Sequence, residues 1–313
     1  MRNLLILLAC GQSVAAMASY ELLLALDNPG SGGVQVRRFD PVSGTSFGSF
    51  GKGYIPNPPY GMAVDQATGM CYVSTFSRTL LRFNYNTGLF LGEYSAAAAS
   101  GGRITVNRTG QIVWADGGTI RLLDTYGKQQ NSFTAAGASS FSSAIQAANG
   151  NYYALENNLN RMYCFNQSGS FVSWTGLGTS PYSYNQLSTA GGKVLFSSTD
   201  PGAGFRDRLY VFDTTPTGQA NFTTIAPTGV GNYSIRGTAI GHDNTAYFSG
   251  LNTVTGNYGV GKISLNTGSQ YGFFGEGTFT FGLGMQAVVA PEPSTMIIFG
   301  MGLSAIVARR RRK

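Results

Sequence analysis

The chain has 313 residues, including 44 glycines, and only 11% of its residues are charged. A content of 42% hydrophobic residues excludes a disordered chain, and the abundance of Gly, Tyr and Phe is not typical of a helical bundle. The formal net charge of +7 is concentrated at the two ends of the chain. Without the basic residues Arg2 and 309–313 and the acidic residue Glu292, 15 basic and 13 acidic side chains remain. This near balance excludes a strongly basic body that binds nucleic acid.

Residues 1–18 predict a cleaved export signal. Arg2 precedes a short apolar run at residues 4–9, and small residues, Ala16 and Ala18, stand three and one positions before Ser19. This arrangement is typical of a signal-peptidase site and predicts Ser19 as the mature N-terminus. The stretch ending in Cys10 also resembles a lipoprotein box, so lipoprotein processing stays open as an alternative.

The body between residues 60 and 289 is a repeat of short strands separated by Gly- and Asn-containing turns. Its first copy places strands at residues 60–65, 71–74, 80–84 and 88–94, with a turn at Gly69. Equivalent positions in five copies are spaced by 41, 41, 43 and 50 residues; they are Gly61, Gly102, Ser143, Gln186 and Arg236. Four short strands in every 40–50 residues is the period of a β-propeller blade.

The two ends of the body complete one another. Residues 21–26, 34–40 and 46–50 predict second, third and fourth strands with no first strand before them, whereas residues 281–289 predict a first strand with no second strand after it. Pairing these pieces would remove two open sheet edges. The sequence therefore predicts an all-β, six-bladed propeller over residues 19–290, with four-stranded blades and a last blade closed by the N- and C-terminal strands. Seven blades are the alternative.

Residues 106–116, which read VNRTGQIVWAD, resemble the NHL-like repeat V-x-x-x-G-x-V-Y-V-A-D. Six-bladed propellers of this kind include protein- and RNA-binding modules, lactonases and virginiamycin-type lyases. The resemblance implies the fold, and it does not select among these functions.

A ligand mouth is predicted where the loops between second and third strands meet the segments that link the blades. Its candidate residues are Asn28, Tyr60, Asp116, Glu156, Asp200, Asp207 and Arg236. Tyrosine beside planar polar groups suits sugars, whose ring faces stack on aromatic side chains. Lactonase-like propellers hold a divalent cation between blades, and that resemblance makes Glu156, Asp116 and Asp200 candidate metal ligands, with Asn28 beside them.

No catalytic residue is assigned. His242, the single histidine, falls in a predicted turn between first and second strands, on the face away from the mouth. A histidine general base or a zinc site would need this residue. Cys71 and Cys164 are predicted to be buried thiols in blades too far apart for a disulfide. No cofactor is expected apart from the candidate divalent cation.

The C-terminal segment has three parts: Pro291-Glu292-Pro293, an apolar run at residues 296–308, and a basic tail of Arg309, Arg310, Arg311, Arg312 and Lys313. This order closely resembles the PEP-CTERM sorting signal of Gram-negative bacteria, in which an exosortase recognises Pro-Glu-Pro and cleaves near it. The resemblance implies that residues 291–313 are a sorting signal with a single transmembrane helix. It also implies export, transient anchoring in the inner membrane, and delivery to the cell surface or exopolysaccharide matrix.

The expected function is therefore that of a secreted, non-enzymatic binding protein of the surface or matrix. Its expected partners are an exosortase and either an exopolysaccharide or a surface protein, and no nucleic acid is expected. Two alternatives remain: a metal-dependent hydrolase or lactonase, and an NHL-type protein–protein interaction module.

Overall fold

The computed structural model describes residues 19–28, 33–56, 58–177, 186–190, 192–200, 206–214, 220–225, 233–241, 243–267, 270–279 and 282–291. Within these ranges the chain forms 24 strands, arranged as six four-stranded sheets. The predicted all-β propeller with six four-stranded blades is confirmed.

The blades are numbered along the chain, with each blade's strands given from the central channel outward. Blade 1 consists of β24 (Gly282–Pro291), β1 (Ser19–Asp27), β2 (Val34–Phe39) and β3 (Ser46–Ile55). Blade 2 consists of β4 (Pro59–Asp65), β5 (Met70–Thr75), β6 (Thr79–Asn84) and β7 (Phe90–Ser95). Blade 3 consists of β8 (Ile104–Val106), β9 (Ile112–Asp116), β10 (Thr119–Leu123) and β11 (Gln129–Thr134).

Blade 4 consists of β12 (Phe141–Gln146), β13 (Tyr152–Glu156), β14 (Arg161–Phe165) and β15 (Phe171–Gly176). Blade 5 consists of β16 (Ser188–Ala190), β17 (Lys193–Asp200), β18 (Arg206–Thr214) and β19 (Ala220–Ile225). Blade 6 consists of β20 (Tyr233–Ile240), β21 (Thr245–Asn252), β22 (Tyr258–Ser264) and β23 (Gln270–Phe279).

The inner strands form a ring. Each contacts the next in the order β24, β4, β8, β12, β16, β20 and back to β24. Blades 3 and 6 therefore face each other across the channel. Strands near the channel are buried on both faces, as in β12 and β13, whereas the outer strand β11 is largely exposed. Because successive side chains of a strand point to opposite faces, each buried strand packs against both neighbouring blades.

The terminal strands lie in one sheet. Strand β1 pairs antiparallel with β24, from Ser19 opposite Pro291 to Asp27 opposite Gly282. The pair Ser19–Pro291 occupies the position that the turn between first and second strands has in the other blades. Pro291, the first proline of the Pro-Glu-Pro segment, is thus the last residue of β24, and the strand extends one residue beyond the predicted body boundary at residue 290.

The predicted turns between first and second strands contain residues with a left-handed backbone. Gly69, Gly110, Gly150 and Gly192 have φ angles of 72°, 80°, 87° and 78°. Blade 6 uses Asn244 at this point, with a φ of 61°. Glycine adopts this region without steric cost, and asparagine tolerates it better than most residues. The Gly- and Asn-containing turn signals therefore marked these positions correctly.

A buried amide links the inner strands of several blades. The side chain of Gln186, just before β16, is 0% exposed. Its Nε2 donates to the carbonyl oxygen of Met62 and, at 3.2 Å, to that of Ile104. The backbone carbonyl of Gln186 accepts a hydrogen bond of 3.0 Å from Thr238 Oγ1. A Cβ atom at Gly284 would lie 2.8 Å from the side-chain Oε1 of Gln186. Gln186 thus ties blade 5 to blades 2, 3 and 6, and blade 1 leaves space for it.

We predict that Gln186→Ala lowers the free energy of unfolding by about 2–3 kcal/mol, because it leaves the Met62 and Ile104 carbonyls buried without this donor. Urea denaturation of the purified chain measures the change. The control Gln130→Ala removes an exposed amide and should cost no more than about 0.5 kcal/mol. Equal midpoints for the Gln186 variant and the unmodified chain would show that the amide does not tie the blades together.

Candidate ligand-binding mouth

The two faces of the disc differ. First strands run away from one face and second strands run towards it. We call the face that carries the blade links and the loops between second and third strands the mouth face, and the opposite face the turn face. At the mouth face lie Asn28 after β1, Asp116 at the end of β9 and Glu156 at the end of β13, together with Tyr60 and Arg236 near the starts of β4 and β20.

Blade 5 contributes the two remaining candidates of the predicted mouth. Asp200 is the last residue of β17 and stands opposite Arg206 of β18. Asp207 stands opposite Thr199 in the same ladder. For this aspartate pair the structure describes the backbone, which places both residues at the mouth end of blade 5.

The carboxylate of Asp116 holds a blade link in place. It accepts hydrogen bonds from the backbone N–H groups of Ala99 at 2.8 Å and Ser100 at 2.7 Å, and from Nε of Arg121. Ala99 and Ser100 belong to the segment between blades 2 and 3. Burial alone would raise the pKa of Asp116, but these hydrogen bonds hold it below its ordinary value of 3.8.

Glu156 has the same role one blade further on. Its Oε1 accepts from Ser139 Oγ at 3.1 Å and from the Ser140 N–H at 3.2 Å, while Oε2 accepts from the Leu159 N–H. The side chain is 0% exposed. It therefore joins the link between blades 3 and 4 to the loop that follows its own strand.

Asp27 occupies the equivalent position in blade 1, where Arg37 Nε donates to its carboxylate at 2.6 Å. In blades 1 and 3, the acid at the end of the second strand pairs with an arginine of the third strand. Sequence reasoning identified Asp116 as a candidate and missed this pairing. The signal was present in blade 3 as Asp116 followed five residues later by Arg121.

These contacts bear on a cation site. Both oxygens of Asp116 and both oxygens of Glu156 already accept hydrogen bonds from their own loops. Each carboxylate therefore already uses part of its acceptor capacity within its own loops. Among the residues that the structure describes, no group of three His, Cys, Asp or Glu side chains is placed to hold a metal.

Two candidates of the predicted mouth lie at irregularities of their strands. In the ladder of β4 with β5, Pro59 stands opposite Thr75 and Gly61 opposite Ser74, so Tyr60 is skipped. The ladder of β20 with β21 skips Arg236 in the same way, between Ile235 and Gly237. A bulged residue is turned away from the regular alternation of the strand and can be aimed at a site.

Arg103 interacts electrostatically with both of these residues, although sequence reasoning treated it only as the start of a strand. Burial lowers the pKa of its guanidinium, the charge of Arg236 lowers it further, and Tyr60 raises it. Arg103 precedes the inner strand of blade 3, and Arg236 belongs to the inner strand of blade 6 on the opposite side of the ring. Beside them the ring of Tyr60 lies 5.3 Å from that of Phe76, which is 65% exposed.

The segment that leads into Arg103 is tightly packed. The indole Nε1 of Trp114 donates to the Ser100 carbonyl at 3.3 Å. A Cβ atom at Gly102 would lie 1.9 Å from the carbonyl oxygen of Ala115, and one at Gly101 would lie 3.0 Å from the Cα atom of Phe76. Only glycine fits at Gly102. Asp116 and these contacts together fix the backbone before Arg103.

The turn face has a cavity that sequence reasoning did not anticipate. Its volume is about 350 Å³, and it lies where the first strands of blades 3, 4 and 5 end. Its lining residues are Val106, Asn107, Arg108, Gln146, Ala147, Ala148, Thr189 and Ala190. The bonds that Gln186 makes to Met62 and Ile104 lie nearer the mouth than these strand ends.

His242, Cys71 and Cys164 are the side chains that the sequence offers for histidine or thiol chemistry in the body. His242 lies outside the described residues. Gly241, which precedes it, donates its backbone N–H to the carbonyl of Thr245, three residues after it, at 2.8 Å. Cys71 and Cys164 are buried free thiols. Burial raises the pKa of the Cys164 thiol to about 11, so the thiolate is disfavoured at neutral pH.

Comparison with family models identifies the C-terminal segment. Residues 289–313 match the model of the PEP-CTERM protein-sorting motif. The chain ends in a PEP-CTERM motif. This motif includes Pro291, Glu292, Pro293 and the basic tail, and its residues from 292 onward, like residues 1–18, lie outside the described part of the chain. Across the residues that are described, no helix is long and apolar enough to cross a membrane.

Solved structures similar to the body show its fold. A protein of unknown function from Bacteroides caccae has a TM-score of 0.62 at 12% identity, covering 86% of this chain and 99% of its own. A proposed 6-phosphogluconolactonase from Bacteroides fragilis has a TM-score of 0.55 at 12% identity, with coverages of 88% and 99%. An inactive variant of virginiamycin B lyase from Staphylococcus aureus, with quinupristin, has a TM-score of 0.50 at 16% identity, with coverages of 72% and 76%. No curated protein matches the sequence significantly.

The hydrogen bonds that the Asp116 carboxylate accepts predict that the stability of the fold depends on pH. Because its folded-state pKa lies below 3.8, its contribution to stability is complete above that pH and is lost as the pH falls through the folded value. Asp116→Asn should cost about 3 kcal/mol at pH 7 and reduce the loss of stability between pH 4 and pH 2. Thermal and urea unfolding across this range measures both effects.

Asp213→Asn is the matched control, because the side chain of Asp213 is 63% exposed and pairs with Lys193. It should change stability at pH 7 by less than about 1 kcal/mol. If the Asp116 and Asp213 variants behave alike, the Asp116 carboxylate does not hold the blade link.

Proposed function

We propose that this chain is an exported, exosortase-sorted β-propeller that acts as a non-enzymatic binding protein of the cell surface or exopolysaccharide matrix. The PEP-CTERM motif at residues 289–313 carries the proposal, since it implies processing by an exosortase, export and passage through a membrane-anchored state. The binding role rests on the mouth.

The processing steps follow from the ends of the sequence. Residues 1–18 act as a signal peptide, which leaves the propeller at residues 19–290 and the sorting signal at residues 291–313. In the sorting signal, residues 296–308 are a transient inner-membrane anchor, and the basic tail stays on the cytoplasmic side. Lipoprotein processing at Cys10 is the alternative for the N-terminus.

The ring closure favours an outward-facing mouth. Pro291 pairs with Ser19 at the turn face, on the side of the disc opposite the mouth. If the exported protein keeps this closure, a membrane anchor that follows Pro291 leaves from the turn face. The mouth would then point away from the bilayer, where a surface or matrix component can reach it.

The chemistry of the mouth supports binding over hydrolysis. The carboxylates of Asp116 and Glu156 are engaged by their own loops, whereas Phe76 is exposed beside Tyr60 and offers a ring on which a sugar can stack. A metal-dependent hydrolase using Glu156, Asp116 and Asp200 is the second candidate. The similarity to a proposed 6-phosphogluconolactonase concerns the fold alone.

Changing the sorting motif tests the export route. We predict that replacing Glu292 and Pro293 by alanine, with Pro291 kept because it ends β24, leaves unprocessed full-length chain in the membrane fraction. Fractionation and immunoblotting of the producing bacterium measure this. The control Glu276→Gln, on the exposed part of β23, should be processed normally. Normal release of the Glu292/Pro293 variant would contradict exosortase sorting.

Binding is tested with the purified chain on immobilised exopolysaccharides. We expect retention on at least one polysaccharide, and Phe76→Ser should weaken it about tenfold through loss of stacking, without changing the melting temperature. Leu89→Ser removes a side chain of similar exposure, 60%, from the turn face and should have no effect. No retention on any polysaccharide, together with a calcium-dependent rise in melting temperature that Glu156→Gln abolishes, would favour the hydrolase.

A further inference from the structure

We propose that the outer rim of the disc carries a second binding site, for acidic polysaccharide, between blades 3 and 4. We call it the rim cleft; it consists of Arg161, Phe171 and Trp174. This inference rests on the proposed function, because it names a class of polysaccharide and a further place where the chain binds it. The recognised chemistry is a sugar ring that carries a carboxylate or sulfate group.

The first observation is the apolar exposure of the outer strand of blade 4. In β15, Phe171, Val172 and Trp174 are 47%, 43% and 48% exposed, and the strand contains no charged residue. The other tryptophan of the chain, Trp114, is 0% exposed. Several large apolar side chains exposed side by side indicate an interaction surface.

The second observation is a bulge that places two of these rings on one face. On a regular strand, side chains three positions apart point to opposite faces. In the ladder with β14, however, Phe171 stands opposite Phe165 and Trp174 stands opposite Tyr163, so Val172 is the extra residue of a bulge. Phe165 and Tyr163 are two residues apart and share a face, and their partners therefore share it too. The two Cα atoms are at most about 10 Å apart, which suits neighbouring units of one polymer.

Blade 3 forms the inner wall of the rim cleft. Tyr163 and Phe165 pack in the core between blades 3 and 4, so the shared face points towards blade 3. Phe133 of the outer strand β11 lies with its ring 5.2 Å from that of Phe165 and covers it. Phe171 and Trp174 lie one strand further out and stay half exposed, so a polymer can reach them from the side of the disc.

The third observation is the arginine that lies on the indole. The Cζ atom of Arg161 is 3.7 Å from the centroid of the Trp174 ring. Arg161 stands opposite Glu156 in the ladder of β13 with β14, but the Glu156 carboxylate accepts hydrogen bonds from the N–H groups of Ser140 and Leu159. A guanidinium that lies flat on an aromatic ring keeps its N–H donors at its edge, where an oxyanion can accept two parallel bonds.

The other blades show what is unusual about Arg161. In blades 1 and 3, Arg37 and Arg121 of the third strand pair with Asp27 and Asp116. Arg161 of the third strand of blade 4 is instead held by a half-exposed indole. Holding this flexible side chain in place before binding reduces the entropy that is lost when an anion binds to it. An acidic sugar stacked on Phe171 would bring its charged group to this guanidinium.

Acrylamide quenching of tryptophan fluorescence measures occupation of the rim cleft, because Trp114 is buried and Trp174 is accessible. The purified full-length chain in detergent is titrated with polygalacturonate, dextran sulfate and uncharged dextran. We expect at least one acidic polymer to protect Trp174 from acrylamide, at a concentration that rises with salt, and dextran to give little protection. The two acidic probes distinguish carboxylate from sulfate recognition.

Four variants identify the groups that bind. Arg161→Gln should weaken binding of the acidic polymer at least about tenfold, whereas Arg161→Lys keeps the charge, loses the planar fork and should fall between. Phe171→Ser removes the stacking ring and should weaken binding about tenfold. Lys128→Gln makes the same charge change at an exposed position on the turn face and should bind like the unmodified chain.

Melting temperatures identify any variant that is not folded, and Arg161→Lys then remains as the conservative variant with an expected partial loss. Three results would each overturn the rim cleft while leaving polysaccharide binding at the mouth in place. They are retention of an acidic polymer without protection of Trp174, equal protection by dextran, and unchanged binding by Arg161→Gln. Absence of binding to neutral and acidic polysaccharides alike would refute the proposed function and the rim cleft with it.

Discussion

The structure depends on strands that are buried on both faces. In β1, Leu22 and Leu24 pack with Cys71 of blade 2, whereas Leu23 and Ala25 pack towards blade 6. A single blade would expose one of these apolar faces, so the sheets are stable only as neighbours in a ring. The pairing of β1 with β24 gives blade 1 its inner strand and places it between blades 6 and 2.

Much of this architecture could be predicted because it is encoded locally. A left-handed turn at Gly110 and alternation of apolar residues are visible in any short window, and their repetition gives the blade count. The roles of Asp116 and Gln186 could not be predicted in this way. Asp116 was interpreted as a ligand because an acid at a strand end looks the same whether it binds a cation or a preceding loop. Gln186 bonds to carbonyls 124 and 82 residues away, and no pattern in the sequence joins them.

The same distinction explains why the mouth was only partly predicted. Tyr60 and Arg236 were selected by residue type, whereas the bulges at both positions appear only in the strand register. Arg103 was missed because it has the pattern of a strand start. Its setting depends on Asp116, which fixes Ala99 and Ser100, and on the close contact of Gly102 with Ala115. Asp116 and Glu156, which were predicted as metal ligands, therefore hold the loops and blade links around the mouth.

The position of the PEP-CTERM motif relative to the ring has a mechanical consequence. Pro291 is both the first residue of the Pro-Glu-Pro segment and the partner of Ser19 in the closing ladder. Cleavage after this proline would leave β24 complete, so the ring would keep the strand that closes it when the anchor is removed. Cleavage several residues earlier would take hydrogen bonds and apolar contacts of Val288 from blade 1. The sorting motif thus overlaps the end of β24, and a cut after Pro291 is the earliest one that removes the following segment without removing a residue of the closing strand.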